Sequence, residues 1–158
     1  MIRRLIRFFS LPRAERSLFV MTWGVLLAIR IALKTVSFRR LYRFCQWLAV
    51  HGRRGAEGYL DERFDALVAL SVERACTWMP GRIMCLPRAL TAVVVLALLG
   101  RPADLCIGVS RPAAQDFEAH AWVTRSGKVL VGTVEGIETF PTFPLNPNRT
   151  WTSQNCGV

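Results

Sequence analysis

The 158-residue sequence has no CxxC pair, no zinc-ligand spacing and no glycine-rich phosphate-binding loop. The first two absences argue against a structural zinc site, and the third argues against the common nucleotide-binding folds. Apart from its charge, the chain carries no signature of a nucleic-acid-binding protein. We therefore expect no metal, no cofactor and no nucleic-acid partner.

The sequence also lacks a long uninterrupted hydrophobic run. Its longest candidate, residues 17–29, extends for about thirteen residues before Arg30 interrupts it, whereas a helix needs roughly twenty to cross a bilayer. The basic start of the chain is followed by a proline and several charged residues, so we expect no signal peptide there. These features predict a core helix at this place.

Cysteine pairs that would build a disulfide framework are missing as well. The five cysteines are Cys45, Cys76, Cys85, Cys106 and Cys156. Their number is odd, and their spacing fits neither a zinc site nor a disulfide framework. A reducing cytosol is therefore the simplest compartment, and we expect a cytoplasmic protein.

Acidic residues are scarce in the first third of the chain. Residues 1–54 hold 12 of the 21 Lys and Arg residues but one of the 11 acidic residues, so this third carries all of the net charge of +10. The asymmetry predicts an anionic partner, and a solvated basic helical surface is the simpler alternative. We expect a basic helical region over 1–54 and a core over 55–158, which together form one compact domain.

Hydrophobic spacing predicts helices first and strands afterwards. Helices are predicted over residues 1–10, 13–35, 41–50 and 59–78 and from Cys85 to a Gly100 cap, and strands over 105–109, 119–124 and 128–134. In the second strand, alternation places His120 and Trp122 on one face and Ala121 and Val123 on the other. The order predicts an α+β fold whose helical N-terminal half packs on a small antiparallel sheet.

Cys85 stands at the start of the most apolar stretch, MCLPRALTAVVVLALLG over residues 84–100. Pro87 suits a first helical turn, and Gly100 followed by Pro102 ends the helix. The partial positive charge at a helix start favours a thiolate over a thiol. Cys85 is therefore interpreted either as a nucleophile or as one more buried cysteine.

His120 lies on a predicted strand downstream of Cys85. A cysteine that heads a helix, followed by a strand bearing histidine, is the order found in papain-like and transglutaminase-like thiol enzymes. A two-residue turn at residues 126–127 would place Thr133 opposite His120, and a bulge would bring Glu135 within reach. Direct pairing favours the Thr133 hydroxyl, with nearby backbone carbonyls as further candidates, as the group that orients the ring. Carboxylate chemistry favours Glu135.

Several blocks of the sequence together resemble a known family. CLPRAL at 85–90, LCIGV at 105–109, FEAHAWV at 117–123 and SGKVLVG at 126–132 resemble the transglutaminase-like leader peptidase of lasso-peptide biosynthesis. LPRAERSLFV at 11–20 resembles the helical front half of the stand-alone form of that family. The resemblance covers about residues 8–145 and implies a transglutaminase-like, papain-like core.

The resemblance also implies roles for individual residues. Cys85 would be the nucleophile and His120 the general base and acid. Some members carry an aspartate on the strand after the histidine as a third residue. This chain has Val131, Gly132 and Thr133 at that place, so it departs from the family pattern there.

The family resemblance implies partners too. Its members remove the leader from a precursor peptide, and a separate cyclase then closes the freed core. A small leader-binding protein, supplied separately here, presents the precursor. Two alternatives remain: a thiol acyltransferase or amide-forming enzyme with the same dyad, and a non-enzymatic membrane-surface or adaptor protein. A peripheral membrane contact through the basic face is a further expectation.

Overall fold

The computed structural model describes residues 12–51, 62–101, 103–110 and 118–133. Within these residues the helices come first: α1 (Arg13–Thr35), α2 (Phe38–His51), α3 (Glu62–Trp78) and α4 (Cys85–Leu98). Three strands follow: β1 (Asp104–Ser110), β2 (Glu118–Arg125) and β3 (Lys128–Val131). The predicted α+β fold, with a helical first half and a small antiparallel sheet, is confirmed.

Helix α4 forms the centre of the core. All nine residues from 89 to 97 are buried, as expected of a helix that is apolar all round. One side of α4, which includes Leu90 and Val94, packs with Ile29 of α1 and with Leu41 and Cys45 of α2. Its other sides pack with α1, α3 and the sheet. The start of α4 is therefore fixed by contacts with most of the described molecule.

Helix α1 spans the residues predicted for it. Its buried side is formed by Phe19, Thr22, Leu26 and Ile29. By length and composition, α1 alone among the described helices is long and apolar enough to cross a membrane, with 22% of its most apolar window buried. The estimate of about thirteen residues was too short, because one arginine does not end the apolar character of a 23-residue helix. A mostly buried core helix and a signal sequence near the N-terminus pass the same test. Helix α1 packs on α3 and α4 along one side, and most of its apolar window is not buried.

The other helix boundaries differ slightly from those predicted. The N–H groups of Arg40 and Leu41 both donate to the carbonyl of Ser37, so α2 begins at Phe38 and the connector is shorter than expected. Helix α3 is described from Glu62, and its predicted start at residue 59 lies outside the described residues. The predicted helix over 1–10 and the proposed boundary between regions at 54 and 55 lie outside the described residues.

The three described strands form an antiparallel sheet in the order β1-β2-β3, with β2 in the middle. Ser126 and Gly127 both have positive φ (52° and 76°) and form the predicted two-residue turn. Arg125 pairs with Lys128, again as predicted. On β2, Ala121 and Val123 join the core cluster that includes α4, whereas His120 stacks on Trp122.

The pairing of β2 with β3 contains an irregularity that the sequence pattern did not predict. Thr124 pairs with Val129, but the next residue, Val123, pairs with Val131. This bulge places one extra residue on β3 and shifts everything after it by one position. The predicted pairing of His120 with Thr133 is therefore wrong.

Candidate active site

Cys85 is the first residue of α4. Met84 before it has an extended backbone, and no side chain caps the helix. The first N–H groups of a helix have no partner within the helix, so this end is electropositive and can donate hydrogen bonds to an anion. The thiol thus lies beside a set of backbone donors.

The loop that leads to Cys85 is held in place from α1. Arg30 donates a hydrogen bond of 2.6 Å from its guanidinium to the carbonyl of Pro80. Gly81 turns the chain there with φ of 86°, and Met79 just before it is buried. The position of Cys85 is therefore set by a tertiary contact as well as by its own helix.

Cys85 touches the middle strand of the sheet. Its Sγ atom lies 3.9 Å from the carbonyl oxygen of Ala119, a distance that fits a weak S–H to O contact. Ala119 precedes His120 on β2, so α4 brings the thiol to the residue next to the histidine. Cys85 is partly exposed, so a substrate can reach the sulfur.

Two of the contacts of His120 fix the position of its ring. Its Nε2 atom lies 2.7 Å from the carbonyl oxygen of Gly132, and its ring stacks on Trp122 with centroids 6.2 Å apart and planes at 14°. Since a carbonyl oxygen only accepts, Nε2–H donates, and Nδ1 of the neutral ring is then the nitrogen that can take up a proton. Trp122 is fully buried, so the stacking partner is rigid.

The structure treats the two residues predicted to orient His120, Thr133 and Glu135, differently. Thr133 is described, but its side chain is exposed and the bulge moves it out of direct pairing with His120. Glu135 lies outside the described residues and stays a prediction. The sequence allowed a backbone carbonyl near Thr133 as the orienting group but did not single out that of Gly132, because a backbone acceptor leaves no trace in the pattern of side chains. A glycine at the place of the family's aspartate was the one available signal.

The other cysteines within the described residues are buried or already bonded. Burial raises the pKa of the Cys45 thiol to about 11, despite a backbone hydrogen bond that lowers it. Burial also raises the pKa of Cys76, which nearby Arg88 offsets in part. Cys45, Cys76 and Cys85 are free, whereas Cys106 is disulfide-bonded, which the cysteine spacing did not predict. Of the described free cysteines, Cys85 is thus the one suited to react.

The charges near the start of α4 come from arginines. Arg88, in the first turn, pairs with Glu73 of α3 at 3.5 Å, and Arg82 lies exposed in the loop before Cys85. Among the described residues, no three His, Cys, Asp or Glu side chains form a group that could hold a metal ion. The chemistry offered by the described site is that of a thiol, an imidazole and backbone donors.

A helix headed by cysteine and packed on the histidine-bearing strand of an antiparallel sheet is the arrangement of the transglutaminase-like class of proteins. The comparison with family models agrees: the model of the transglutaminase-like superfamily matches residues 24–143. The chain therefore belongs to the transglutaminase-like superfamily, whose fold is typical of cysteine proteases and acyltransferases. No curated protein and no solved structure matches the chain.

Proposed function

We propose that this protein is a cysteine peptidase that removes the leader from a lasso-peptide precursor. The observation that carries the proposal is the contact of Cys85, at the start of α4, with Ala119, the residue before His120. A thiol beside helix N–H groups and a histidine-bearing strand suits acyl transfer. The sequence resemblance at 85–90 and 117–132 supplies the substrate class.

The first half of the proposed reaction forms a thioester. The Cys85 thiolate attacks the scissile carbonyl carbon, and the backbone N–H groups at the start of α4 stabilise the oxyanion. The carbon–nitrogen bond then breaks, and His120 gives a proton to the departing amine of the core peptide. The leader remains bound to Cys85 through a carbon–sulfur bond.

The second half releases the leader. His120, now without that proton, takes one from a water molecule whose oxygen attacks the thioester carbon. The carbon–sulfur bond breaks, the leader leaves with a free carboxylate and the thiolate is restored. Two roles for one imidazole require that its ring keep one orientation through both steps.

For the orientation of His120, Glu135 is the carboxylate that we propose from the sequence, and the Thr133 hydroxyl is the alternative. Glu135→Gln removes the charge with little change in shape, and Thr133→Val removes the hydroxyl in the same way. Loss of a triad carboxylate costs on the order of 10⁴ in rate in a serine protease, so an essential Glu135 would be evident in kcat.

Three partners belong to the proposal: the precursor peptide, a separate leader-binding protein that presents it and the lasso cyclase that receives the core. The cytoplasm stays our predicted compartment for these reactions, but the disulfide at Cys106 removes the argument for it from cysteine spacing. The first test is to incubate the protein with the precursor and the leader-binding protein and to weigh the products. Two fragments whose masses sum to precursor plus one water indicate hydrolysis, whereas a joined product would indicate acyl transfer to an amine.

Cys85→Ala decides whether the thiol does this chemistry. We expect it to abolish cleavage while the protein still unfolds cooperatively, because Cys85 is partly exposed and contributes little to the core. The matched control is Cys76→Ala, a free cysteine that is buried, which should lower stability but retain cleavage. Retained function in Cys85→Ala would favour the adaptor alternative and end the peptidase hypothesis.

We also propose that the exposed face of α2 contacts an anionic membrane. Arg40, Arg43, Phe44 and Trp47 recur at helical spacing on this face, and Phe44 and Trp47 are 54% and 55% exposed. The two rings stack at 6.2 Å, and the sequence of α2 contains no acidic residue. Exposed aromatic rings among arginines suit the interface of an anionic bilayer, where rings enter the headgroup layer and guanidinium groups meet phosphates.

A further inference from the structure

Gly132 is placed where its backbone serves the histidine. Its carbonyl oxygen accepts the Nε2–H of His120 at 2.7 Å. The sequence resemblance puts Gly132 within the three residues that stand where other members carry an aspartate. A backbone acceptor thus lies where the family pattern would lead one to expect a carboxylate.

The structure gives a physical reason for glycine at this position. Gly132 has φ of 90°, a conformation that other residues rarely adopt. A Cβ atom built on Gly132 would lie 2.9 Å from the carbonyl oxygen of Ala121 and 3.0 Å from both Cα and Cβ of Trp122. Backbone atoms of a central strand cannot yield easily, so a side chain here would push the Gly132 carbonyl away from His120.

The bulge between Val123 and Thr124 lies between this site and the turn. Without the bulge, the register that begins with Arg125 opposite Lys128 would continue unchanged along the whole hairpin. With it, Val131 pairs with Val123, and Gly132 follows immediately beside Trp122. The bulge and the glycine together therefore bring the carbonyl within 2.7 Å of His120 Nε2.

We propose that the Gly132 carbonyl is a positioning group for His120, which acts by holding the Nε2–H of the ring. The proposal rests on the proposed function in that Cys85 and His120 act as a pair. The carbonyl holds Nε2–H and so keeps Nδ1 as the nitrogen that exchanges a proton with the thiol and the substrate. A neutral acceptor fixes the tautomer but stabilises the imidazolium less than a carboxylate does.

Gly132→Ala and Gly127→Ala form a matched pair for testing this. Both glycines have positive φ (90° and 76°), so alanine strains the backbone at either place. A Cβ at Gly127 meets nothing within 4 Å, whereas a Cβ at Gly132 strikes β2. We expect Gly132→Ala to lower kcat by about 10- to 100-fold with KM retained, by analogy with the loss of other orienting partners. Gly127→Ala should lower stability and leave kcat close to that of the wild type.

Two substrate-free measurements separate this inference from the peptidase hypothesis. Side-chain ¹⁵N NMR of the neutral His120 ring should show the Nε2–H tautomer in the wild type. The rate at which iodoacetamide alkylates Cys85 should fall in Gly132→Ala and in His120→Ala but not in Gly127→Ala. A wild type with these properties that does not cut the precursor would refute the proposed function and leave the role of Gly132 intact.

Other outcomes would overturn the inference. A wild-type Nδ1–H tautomer contradicts it directly, and this measurement stands even if Gly132→Ala does not fold. Unchanged kcat and alkylation in a folded Gly132→Ala would also contradict it. Thr133→Val and Glu135→Gln both leave the Gly132 carbonyl in place, so we expect each variant to keep the Nε2–H tautomer of His120. A switch to the Nδ1–H tautomer in Glu135→Gln would assign the positioning role to the carboxylate instead.

Discussion

At the scale of single residues, Asp65 of α3 is a carboxylate that binds two arginines from other parts of the described fold. Its two carboxylate oxygens accept from Arg101, after α4, at 2.8 Å and from Arg125, at the end of β2, at 2.6 Å. The side chain is 10% exposed and its partners 12% and 17%. Burial raises the pKa of Asp65. The hydrogen bonds and charges of the two arginines lower it by more, so the pKa lies below its usual range. One carboxylate thus joins α3, the end of α4 and the sheet.

The sign of this shift predicts how stability depends on pH. A group whose pKa is lowered by folding stabilises the native state above its unfolded pKa, near 3.9 for aspartate, and loses this contribution as pH falls further. Asp65→Asn should cost about 3 kcal/mol at neutral pH, because two buried arginines lose their counter-charge. Denaturant unfolding at pH 7 and pH 3 measures this, and the difference between wild type and variant should shrink at pH 3.

Glu62→Gln is the control for Asp65. Glu62 pairs with Lys128 at 2.6 Å, but the two side chains are 74% and 67% exposed, so water screens the pair. Its loss should hardly change the unfolding midpoint at either pH. If Asp65→Asn were as mild as Glu62→Gln, the Asp65 cluster would not hold the sheet to the helices.

At the scale of elements, α4 has two roles: it positions the thiol of Cys85, and it fills the core. Leu96 is fully buried in it, whereas Leu98 is 38% exposed. Leu96→Ala removes buried methyl groups and leaves a cavity, and we expect it to lower the free energy of unfolding by 2–5 kcal/mol, roughly as for other buried leucines. Leu98→Ala should cost much less. Equal effects in a urea titration would contradict the central position given to α4.

Elements with strong periodicity were predictable from the sequence, and those fixed by long-range contacts were not. Helix α1 matched its predicted bounds because its apolar spacing is strong over 23 residues. The turn at Ser126 and Gly127 was predictable because glycine tolerates positive φ. The bulge at Val123 was not predictable, because Val129, Leu130 and Val131 on β3 are all apolar and the sequence shows no break in alternation there.

The same distinction applies to the candidate site. Cys85 and His120 are visible in the sequence because their residue types and surroundings are characteristic of thiol enzymes. The Gly132 carbonyl became visible only when the register of β3 was known. A sequence shows which side chains are available, but a backbone acceptor is identified by geometry alone.

At the scale of the whole molecule, charge is divided along the chain. The basic first third includes α1 and α2, and the exposed face of α2 carries arginines beside Phe44 and Trp47. We predict that the protein pellets with phosphatidylglycerol-containing vesicles at low salt and not with phosphatidylcholine vesicles. Added salt should weaken this binding, because the Debye length, the distance over which charges act on each other, falls to about 8 Å at physiological ionic strength.

Variants on α2 distinguish this membrane contact from a general effect of charge. Phe44→Ser with Trp47→Ser should lower vesicle binding, whereas Val20→Ser on α1, where Val20 is 58% exposed, serves as an apolar control. Equal binding to both kinds of vesicle, or none, would rule out the membrane contact. Loss of leader cleavage without loss of vesicle binding in the α2 variants would point to an acidic protein partner instead.

The central claim is that Cys85, held against the strand of His120, becomes acylated by the leader. The most direct test is acid quenching during turnover of the precursor, followed by intact mass and peptide mapping of the protein. We predict a species heavier by the leader fragment, linked through Cys85, in the wild type and none in Cys85→Ala or His120→Ala. Cleavage at the wild-type rate by Cys85→Ala, or an acyl group on another residue, would contradict the account.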